Sequence, residues 1–79
     1  IDINNIIKKA IEINAVIITN NTKYYDQILE YKKVEVYNLN EVKGLEFPNV
    51  IVINDNLTRN QQYVAYTRSL NKLEIYIKK

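Results

Sequence analysis

The sequence contains no cysteine, no histidine and no methionine, and it has a single glycine and a single proline. Without cysteine and histidine it can form neither a disulfide nor a zinc site built from those ligands, and it cannot use a Ser/His or Cys/His pair in catalysis. At 47% hydrophobic and 25% charged residues, the composition excludes disorder, collagen and a membrane span. A formal net charge of +2 is too small to indicate nucleic-acid binding by itself.

The length of 79 residues fits one small domain, and we predict a single domain over 1–79. A domain of this size buries only about 60 to 65% of its unfolded surface, so we expect a missing neighbour to cover part of it. The chain has no methionine and no basic and apolar leader for export. We therefore expect a piece cut from a longer cytoplasmic protein, with no membrane partner.

The spacing of apolar residues predicts alternating helices and strands. The predicted helices, each with one apolar stripe, span 2–14, 22–31 and 59–70. The predicted strands, rich in β-branched residues, span 15–19, 34–39, 50–53 and 73–77. The residues predicted to cap the helix starts are Asp2, Asn21 or Thr22, and Thr58 paired with Gln61. Asn71 is predicted to end the last helix in a left-handed conformation. This order favours an α/β fold with a mostly parallel sheet and flanking helices.

The loop 41–48 contains the only glycine, the only phenylalanine and the only proline of the chain. Gly44 permits a backbone conformation that a side chain forbids, and the Glu46 carboxylate can accept hydrogen bonds from a hydroxyl group. Ligands of open α/β sheets collect at the carboxyl ends of the strands, so we expect this loop to lie there. The alternative is a simple turn, with Leu45 and Phe47 filling the core.

Both arginines of the chain, Arg59 and Arg68, lie in the segment 59–69. Lysine supplies the rest of the positive charge, whereas the rigid fork of arginine donors suits phosphate. On the predicted helix, Arg68 shares one side with Gln61 and Ala65, so it need not point into the core. We expect this segment to lie at the carboxyl ends of the strands as well. The alternative is an ordinary surface arginine or an ion pair.

Two short motifs in a fixed order make the chain resemble a known family. The run KGLEF at 43–47, followed by the apolar strand 50–53, resembles motif V of the UvrD/Rep-type superfamily 1 DNA helicases. The run YVAYTRS at 63–69, followed by Leu73, resembles motif VI of the same family. The segment 17–21 is loosely similar to the part of the family between motifs IV and V.

The resemblance implies a small RecA-like (P-loop NTPase-like) fold, forming an incomplete second motor domain, called 2A in that family. ATP with Mg²⁺ would bind between 2A and the N-terminal domain 1A, which supplies the phosphate loop and the magnesium carboxylates. Carried over by position, Arg68 would be the catalytic arginine finger, Glu46 would hold the ribose, and Gly44 would let the backbone pass close to the nucleotide. Lys43 and Thr67 match the motifs as phosphate-facing or loop-ordering residues.

The sequence departs from the family at the proposed contact to single-stranded DNA. Asn38 and Asn40 stand where the family commonly has threonine and histidine; because an asparagine side chain can hydrogen-bond a phosphate, both are candidate DNA contacts. Between Tyr31 and Lys43 there is no room for the large 2B insertion, so the chain resembles the compact branch of the family or one with that insertion removed. Only Arg59 remains of an arginine pair that often precedes motif VI.

With a single glycine, the chain cannot contain the G-x-x-x-x-G-K-[ST] phosphate loop, and we expect no ATP hydrolysis by this chain alone. The leading hypothesis is the C-terminal motor domain of an ATP-dependent DNA helicase or translocase, enzymatic only in the intact protein. The first alternative is a degenerate helicase-like module that binds DNA or protein without hydrolysis. The second is a small domain with a purely structural role.

Overall fold

A computed structural model describes residues 1–78 of the chain. The helices are α1 (Ile3–Ile13), α2 (Thr22–Leu29) and α3 (Arg59–Tyr66). The strands are β1 (Val16–Thr19), β2 (Val36–Asn38), β3 (Phe47–Asn54) and β4 (Ser69–Ile77), and a short 3₁₀ helix covers Leu39–Glu41. Lys79, the last residue of the predicted domain, lies outside the described residues. None of the helices in 1–78 is both long enough and apolar enough to cross a membrane.

The four strands form one sheet in the order β2-β1-β3-β4, and every neighbouring pair is parallel. Ile17 of β1 lies opposite Val36 of β2 on one side and opposite Ile51 of β3 on the other. The structure therefore confirms the predicted α/β fold with a parallel sheet and flanking helices. In a parallel sheet all strands start at one edge, so each connection must return from the carboxyl edge to the amino edge.

Both faces of the sheet are covered, which explains why the central strands are continuous apolar runs. Ile17, Ile51 and Ile53 pack under α1 and α2, whereas Ile18 and Val52 pack with residues of α3 on the opposite face. All five side chains are 0% exposed. The alternation follows from the two-residue period of a strand, which sends successive side chains to opposite faces.

The predicted caps of the helix starts are confirmed. Asp2 Oδ1 accepts from Asn4 N at 3.0 Å, and Asn21 Oδ1, rather than Thr22, accepts from Tyr24 N at 3.0 Å. Thr58 Oγ1 accepts from Gln61 N at 3.2 Å, and Gln61 Oε1 accepts from Thr58 N at 2.9 Å. Each cap satisfies backbone N–H groups that have no partner inside the helix, so these local signals position all three helices.

The predicted end of the last helix is wrong. α3 ends at Tyr66, and Asn71 lies inside β4 instead of ending a helix. The Thr67 hydroxyl donates to Tyr63 O at 2.6 Å, and Arg68 O accepts from Phe47 N at 2.8 Å. Because this pairing joins β3 and β4 close to the helix end, both strands begin earlier than predicted, at Phe47 and Ser69. The left-handed helix end occurs at Asn14 of α1, with φ 55°.

Candidate functional site

The predicted site residues are divided between the two edges of the sheet. Asn38 ends β2 and therefore lies at the carboxyl edge, whereas Gly44 and Glu46 precede β3, and Arg68 precedes β4, at the amino edge. The expectation that both motifs lie at the carboxyl ends is wrong for these last three residues. The physical reason is the parallel sheet itself, because the segments that follow β2 and β3 must cross back to the amino edge before the next strand starts.

At the carboxyl edge, the ends of β1 and β2 and the start of α3 enclose an open groove of about 810 Å³. The predicted residues Asn38, Asn40 and Lys43 all line this groove, so the structure brings these three together. The other lining residues were not predicted to belong to a site; they are Asn20, Thr22, Leu39, Asn60, Gln61 and Val64.

Amide side chains dominate the groove, and among residues 1–78 Lys43 is the only charged residue in its lining. An amide both donates and accepts hydrogen bonds, so such a lining suits base edges, sugar hydroxyls and phosphate oxygens alike. Asn38 N donates to Glu41 Oε1 at 2.7 Å, which fixes the turn that follows β2. The groove therefore combines amide groups and the positive charge of Lys43 with the apolar side chains of Leu39 and Val64.

A hydrogen-bonded cluster fixes the carboxyl ends of β1 and β3 beside the groove. Asn20 Nδ2 donates to Asp55 O at 2.7 Å, and Asp55 N donates to Asn20 Oδ1 at 3.2 Å. Asn21 Nδ2 donates to Asp55 Oδ2 at 2.8 Å. Asn20 is thus committed to holding the loops, whereas the other polar residues of the lining are the predicted Asn38, Asn40 and Lys43 together with Thr22, Asn60 and Gln61.

At the amino edge, Arg68 joins the two motifs directly. Its Nη1 donates to Val42 O at 3.4 Å and to Leu45 O at 3.3 Å, across 26 and 23 residues of sequence. Its Nη2 donates to Thr67 Oγ1 at 3.1 Å. The predicted site residue Arg68 is therefore in contact with Thr67 and with the backbone on both sides of Gly44.

The Arg68 Nε–H group is buried and has no hydrogen-bond partner among residues 1–78. A buried donor without an acceptor is rare and costs about 1 to 3 kcal/mol. The two bonds from Nη1, at 3.3 and 3.4 Å, are also longer than the usual N–H···O distance of about 2.9 Å. The guanidinium is therefore poorly satisfied in this arrangement and still has donors to offer to an acceptor.

The remaining residues of the 43–47 loop differ from one another in environment. Gly44 has φ +82°, and a Cβ placed on it would meet no atom within 4 Å, so backbone conformation and not packing requires glycine there. Glu46 is exposed and forms no ion pair within the described part of the chain. The alternative reading, in which Leu45 and Phe47 fill the core, holds for Phe47 only: Leu45 is 41% exposed, whereas Phe47 packs on the α3 face beside Tyr37.

Tyr37, whose ring centroid lies 5.0 Å from that of Phe47, has a perturbed acidity. Burial raises the pKa of the Tyr37 hydroxyl above its ordinary value of about 10, and the nearby Glu35 charge raises it further. The hydroxyl donates to Glu35 Oε2 at 3.3 Å. Tyr37 is therefore a neutral hydrogen-bond donor at physiological pH.

Acidic side chains do not gather into a metal site. In the part of the chain that the structure describes, no three side chains of the types His, Cys, Asp and Glu lie close enough together to hold a metal ion. The Asp55 carboxylate already accepts from Asn21 Nδ2. The site chemistry of residues 1–78 is that of hydrogen-bond donors and acceptors with one arginine and one lysine.

Among families of known proteins, the model described as viral superfamily 1 RNA helicase core domain matches residues 3–77 of this chain. No curated protein and no solved structure matches it. The family match spans all four strands, the groove and the contact between Arg68 and the Gly44 loop.

Proposed function

The chain belongs to the viral superfamily 1 RNA helicase core domain family, and from this membership we propose that it is the C-terminal motor domain, 2A, of an ATP-dependent helicase or translocase. The proposed partners are a 1A domain, ATP with Mg²⁺, and a single strand of nucleic acid. In the proposed cycle, 2A closes on ATP against 1A and opens after hydrolysis, which moves the strand.

The contact between Arg68 and the Gly44 loop is the single observation that carries this proposal. The resemblance assigns both segments to one nucleotide site, and the fold places them within hydrogen-bond distance although 23 and 26 residues separate them. Phosphate oxygens are stronger acceptors than neutral carbonyls, so a γ-phosphate would satisfy the guanidinium better than Val42 and Leu45 do. Arg68 would then stabilise the charge that develops during phosphoryl transfer.

The other residues of the amino edge would support the nucleotide. Glu46 has an exposed carboxylate that can accept hydrogen bonds from ribose hydroxyls. Thr67 accepts from Arg68 Nη2 at 3.1 Å and would keep the guanidinium oriented. The carboxylates of 1–78 do not gather, so the proposal leaves Mg²⁺ and the phosphate loop to 1A. Hydrolysis then requires both domains, and this chain alone would be inactive.

The carboxyl-edge groove would hold the nucleic-acid strand, with Asn38, Asn40 and Lys43 as its contacts. The UvrD/Rep resemblance favours DNA as the strand, whereas the family description names RNA helicases. Amide groups can form hydrogen bonds with a strand built on deoxyribose or on ribose. Fluorescence anisotropy measures the affinity of the chain for DNA and RNA single strands of matched sequence. Tighter binding of the DNA strand would support the UvrD/Rep assignment.

A second candidate function is a module that binds nucleic acid without hydrolysing ATP. It is favoured by the groove, which this chain forms by itself, whereas the proposed nucleotide site needs residues from another domain. Under this hypothesis strand binding would be sensitive to salt and independent of nucleotide.

The test is strand-stimulated ATP hydrolysis by the longest natural chain that contains this sequence. With the strand at saturating concentration, Arg68→Ala should lower turnover by about 10³-fold or more. Arg59→Ala is the matched control, because it removes the other arginine of the chain without touching the loop, and it should leave the rate close to that of the wild type. Equal rates for Arg68→Ala and the wild type would refute the finger role. Strand binding with no hydrolysis in any variant would favour the second candidate.

A further inference from the structure

The two-residue turn at Lys43 and Gly44 links the two site regions. The Lys43 side chain lines the groove at the carboxyl edge. The carbonyl groups on either side of the turn, those of Val42 and Leu45, accept from Arg68 Nη1 at the amino edge. One guanidinium therefore contacts both ends of the turn that carries Lys43, the only charged groove residue in the described part of the chain.

Apart from the buried side chain of Val42, just before it, little else in residues 1–78 holds this turn. Lys43, Gly44, Leu45 and Glu46 are all exposed, and nothing lies within 4 Å of a Cβ placed on Gly44. Leu45 N donates to Val42 O at 2.9 Å, which closes the turn. Glycine has the largest conformational freedom of any residue, so a turn with so few contacts is disordered easily when a hydrogen bond is removed.

We propose that Arg68 is a positioning residue for Lys43, and that a phosphate group which takes the guanidinium releases the turn and weakens the grip of the groove on a nucleic-acid strand. The link between Arg68 and the turn rests on the geometry alone, whereas its effect on a strand rests on the proposed function. Charge-assisted hydrogen bonds to an anion are about twice as strong as those to neutral carbonyls. Transfer of the guanidinium from the two carbonyl groups to a phosphate is therefore favourable. Through this one side chain, phosphate binding at the amino edge would change the groove at the carboxyl edge.

The first part of the test uses the chain itself and its single glycine. Because ¹⁵N-glycine labelling yields one resonance, Gly44 reports on the turn directly. Arg68→Ala should shift this resonance and speed amide exchange at Leu45 about five- to tenfold, whereas the control Arg59→Ala should do neither. Arg68→Lys keeps the positive charge but loses the forked donors of the guanidinium, so its Gly44 shift and Leu45 exchange rate should lie between those of the wild type and Arg68→Ala. This variant replaces Arg68→Ala in the test if Arg68→Ala does not fold. A folded Arg68 variant in which Gly44 and Leu45 are unchanged would overturn the proposal.

The second part adds inorganic triphosphate to the wild type labelled with ¹⁵N-arginine as well. The anion should shift the Arg68 Nε resonance and move Gly44 towards its position in Arg68→Ala, and it should leave Gly44 unmoved in that variant. A shifted Arg68 Nε resonance with an unmoved Gly44 would overturn release of the turn by phosphate. An unmoved Arg68 Nε resonance would overturn capture of the guanidinium by phosphate in this chain, whereas the finger role, which requires 1A, is tested separately by ATP hydrolysis.

The third part measures strand binding across salt concentrations. Each phosphate contact to a single strand contributes about 0.7 to the slope of log affinity against log salt. Lys43→Ala and Arg68→Ala should each lower the slope by about 0.7, and the double variant should lower it no further. Lys8→Ala removes an exposed charge of α1, outside the groove, and should leave the slope unchanged. Additive losses in the double variant would overturn the link. If the wild type binds no strand, the proposed function of the groove fails while the Gly44 resonance still decides the role of Arg68.

Discussion

Asn54 connects the end of β3 to both ends of α3, and its replacement tests how the helix before Arg68 is held in place. Its side chain is 6% exposed. Oδ1 accepts from Leu57 N at 2.9 Å, and Nδ2 donates to Tyr66 OH at 2.8 Å. Asn54→Ala removes both hydrogen bonds and leaves the Leu57 N–H, in a residue that is 7% exposed, without its acceptor.

The two bonds differ in what their loss should cost. A buried N–H left unpaired costs about 1 to 3 kcal/mol. Loss of the bond to Tyr66 should cost about 0.5 to 1.5 kcal/mol, because Tyr66 is half-buried and water can replace the partner. We therefore expect Asn54→Ala to lower the free energy of unfolding by about 2 to 4 kcal/mol. Tyr66→Phe keeps the bond to Leu57 but leaves Asn54 Nδ2 without its acceptor, so it should cost about 1 to 3 kcal/mol.

Urea denaturation followed by far-UV circular dichroism measures both variants, with equal m-values as the sign that the unfolding transition is comparable. In thermal unfolding, each kcal/mol should lower the Tm by about 4 to 8 °C for a domain of this size. A loss below about 1 kcal/mol for Asn54→Ala would refute the reasoning about the unpaired donor.

Two further predictions concern the Gly44 loop and the neighbouring Tyr37. Gly44→Ala should cost about 1 to 2 kcal/mol because of the positive φ, whereas Gly44→Asn should cost less; equal urea midpoints for the wild type and Gly44→Ala would contradict this. The pKa of Tyr37 is raised by burial and by Glu35, so the neutral hydroxyl is favoured in the folded state. This contribution is complete below about pH 10 and is lost as the pH rises through the folded pKa. Urea titrations should show stability falling above pH 10 more steeply in the wild type than in Tyr37→Phe, whereas the exposed control Tyr63→Phe should follow the wild type.

The elements of the fold could be predicted because their signals are local. The strand at Val16–Thr19 is an apolar run that ends in polar residues, and Thr58 with Gln61 forms a capping box within four residues. The end of α3 could not be predicted in this way. The Thr67 side chain and the pairing of Phe47 with Arg68 end the helix at Tyr66, and that pairing depends on a strand more than twenty residues away.

The residues of the candidate site also fall into those that local sequence signals could predict and those that they could not. Asn38, Asn40, Lys43 and Arg68 could be named because they stand in or beside recognisable motifs. Asn60 and Gln61 were missed as groove residues, although the position of polar residues at the start of a helix that follows a buried strand is a usable signal. The position of Arg68 next to Val42 and Leu45 had no local signal, and the roles assigned to Arg68, Glu46 and Gly44 stay predictions.

The sequence by itself determined the α/β class, the apolar strands, the helix starts and the two motifs, because each of these depends on neighbours within a few residues. Only the tertiary structure decided that the motifs meet at the amino edge while Asn38, Asn40 and Lys43 lie in a groove at the carboxyl edge. The reason is the return path of each crossover in a parallel sheet. It brings together residues that are distant in sequence, such as Arg68 and the two carbonyl groups of the Lys43 turn.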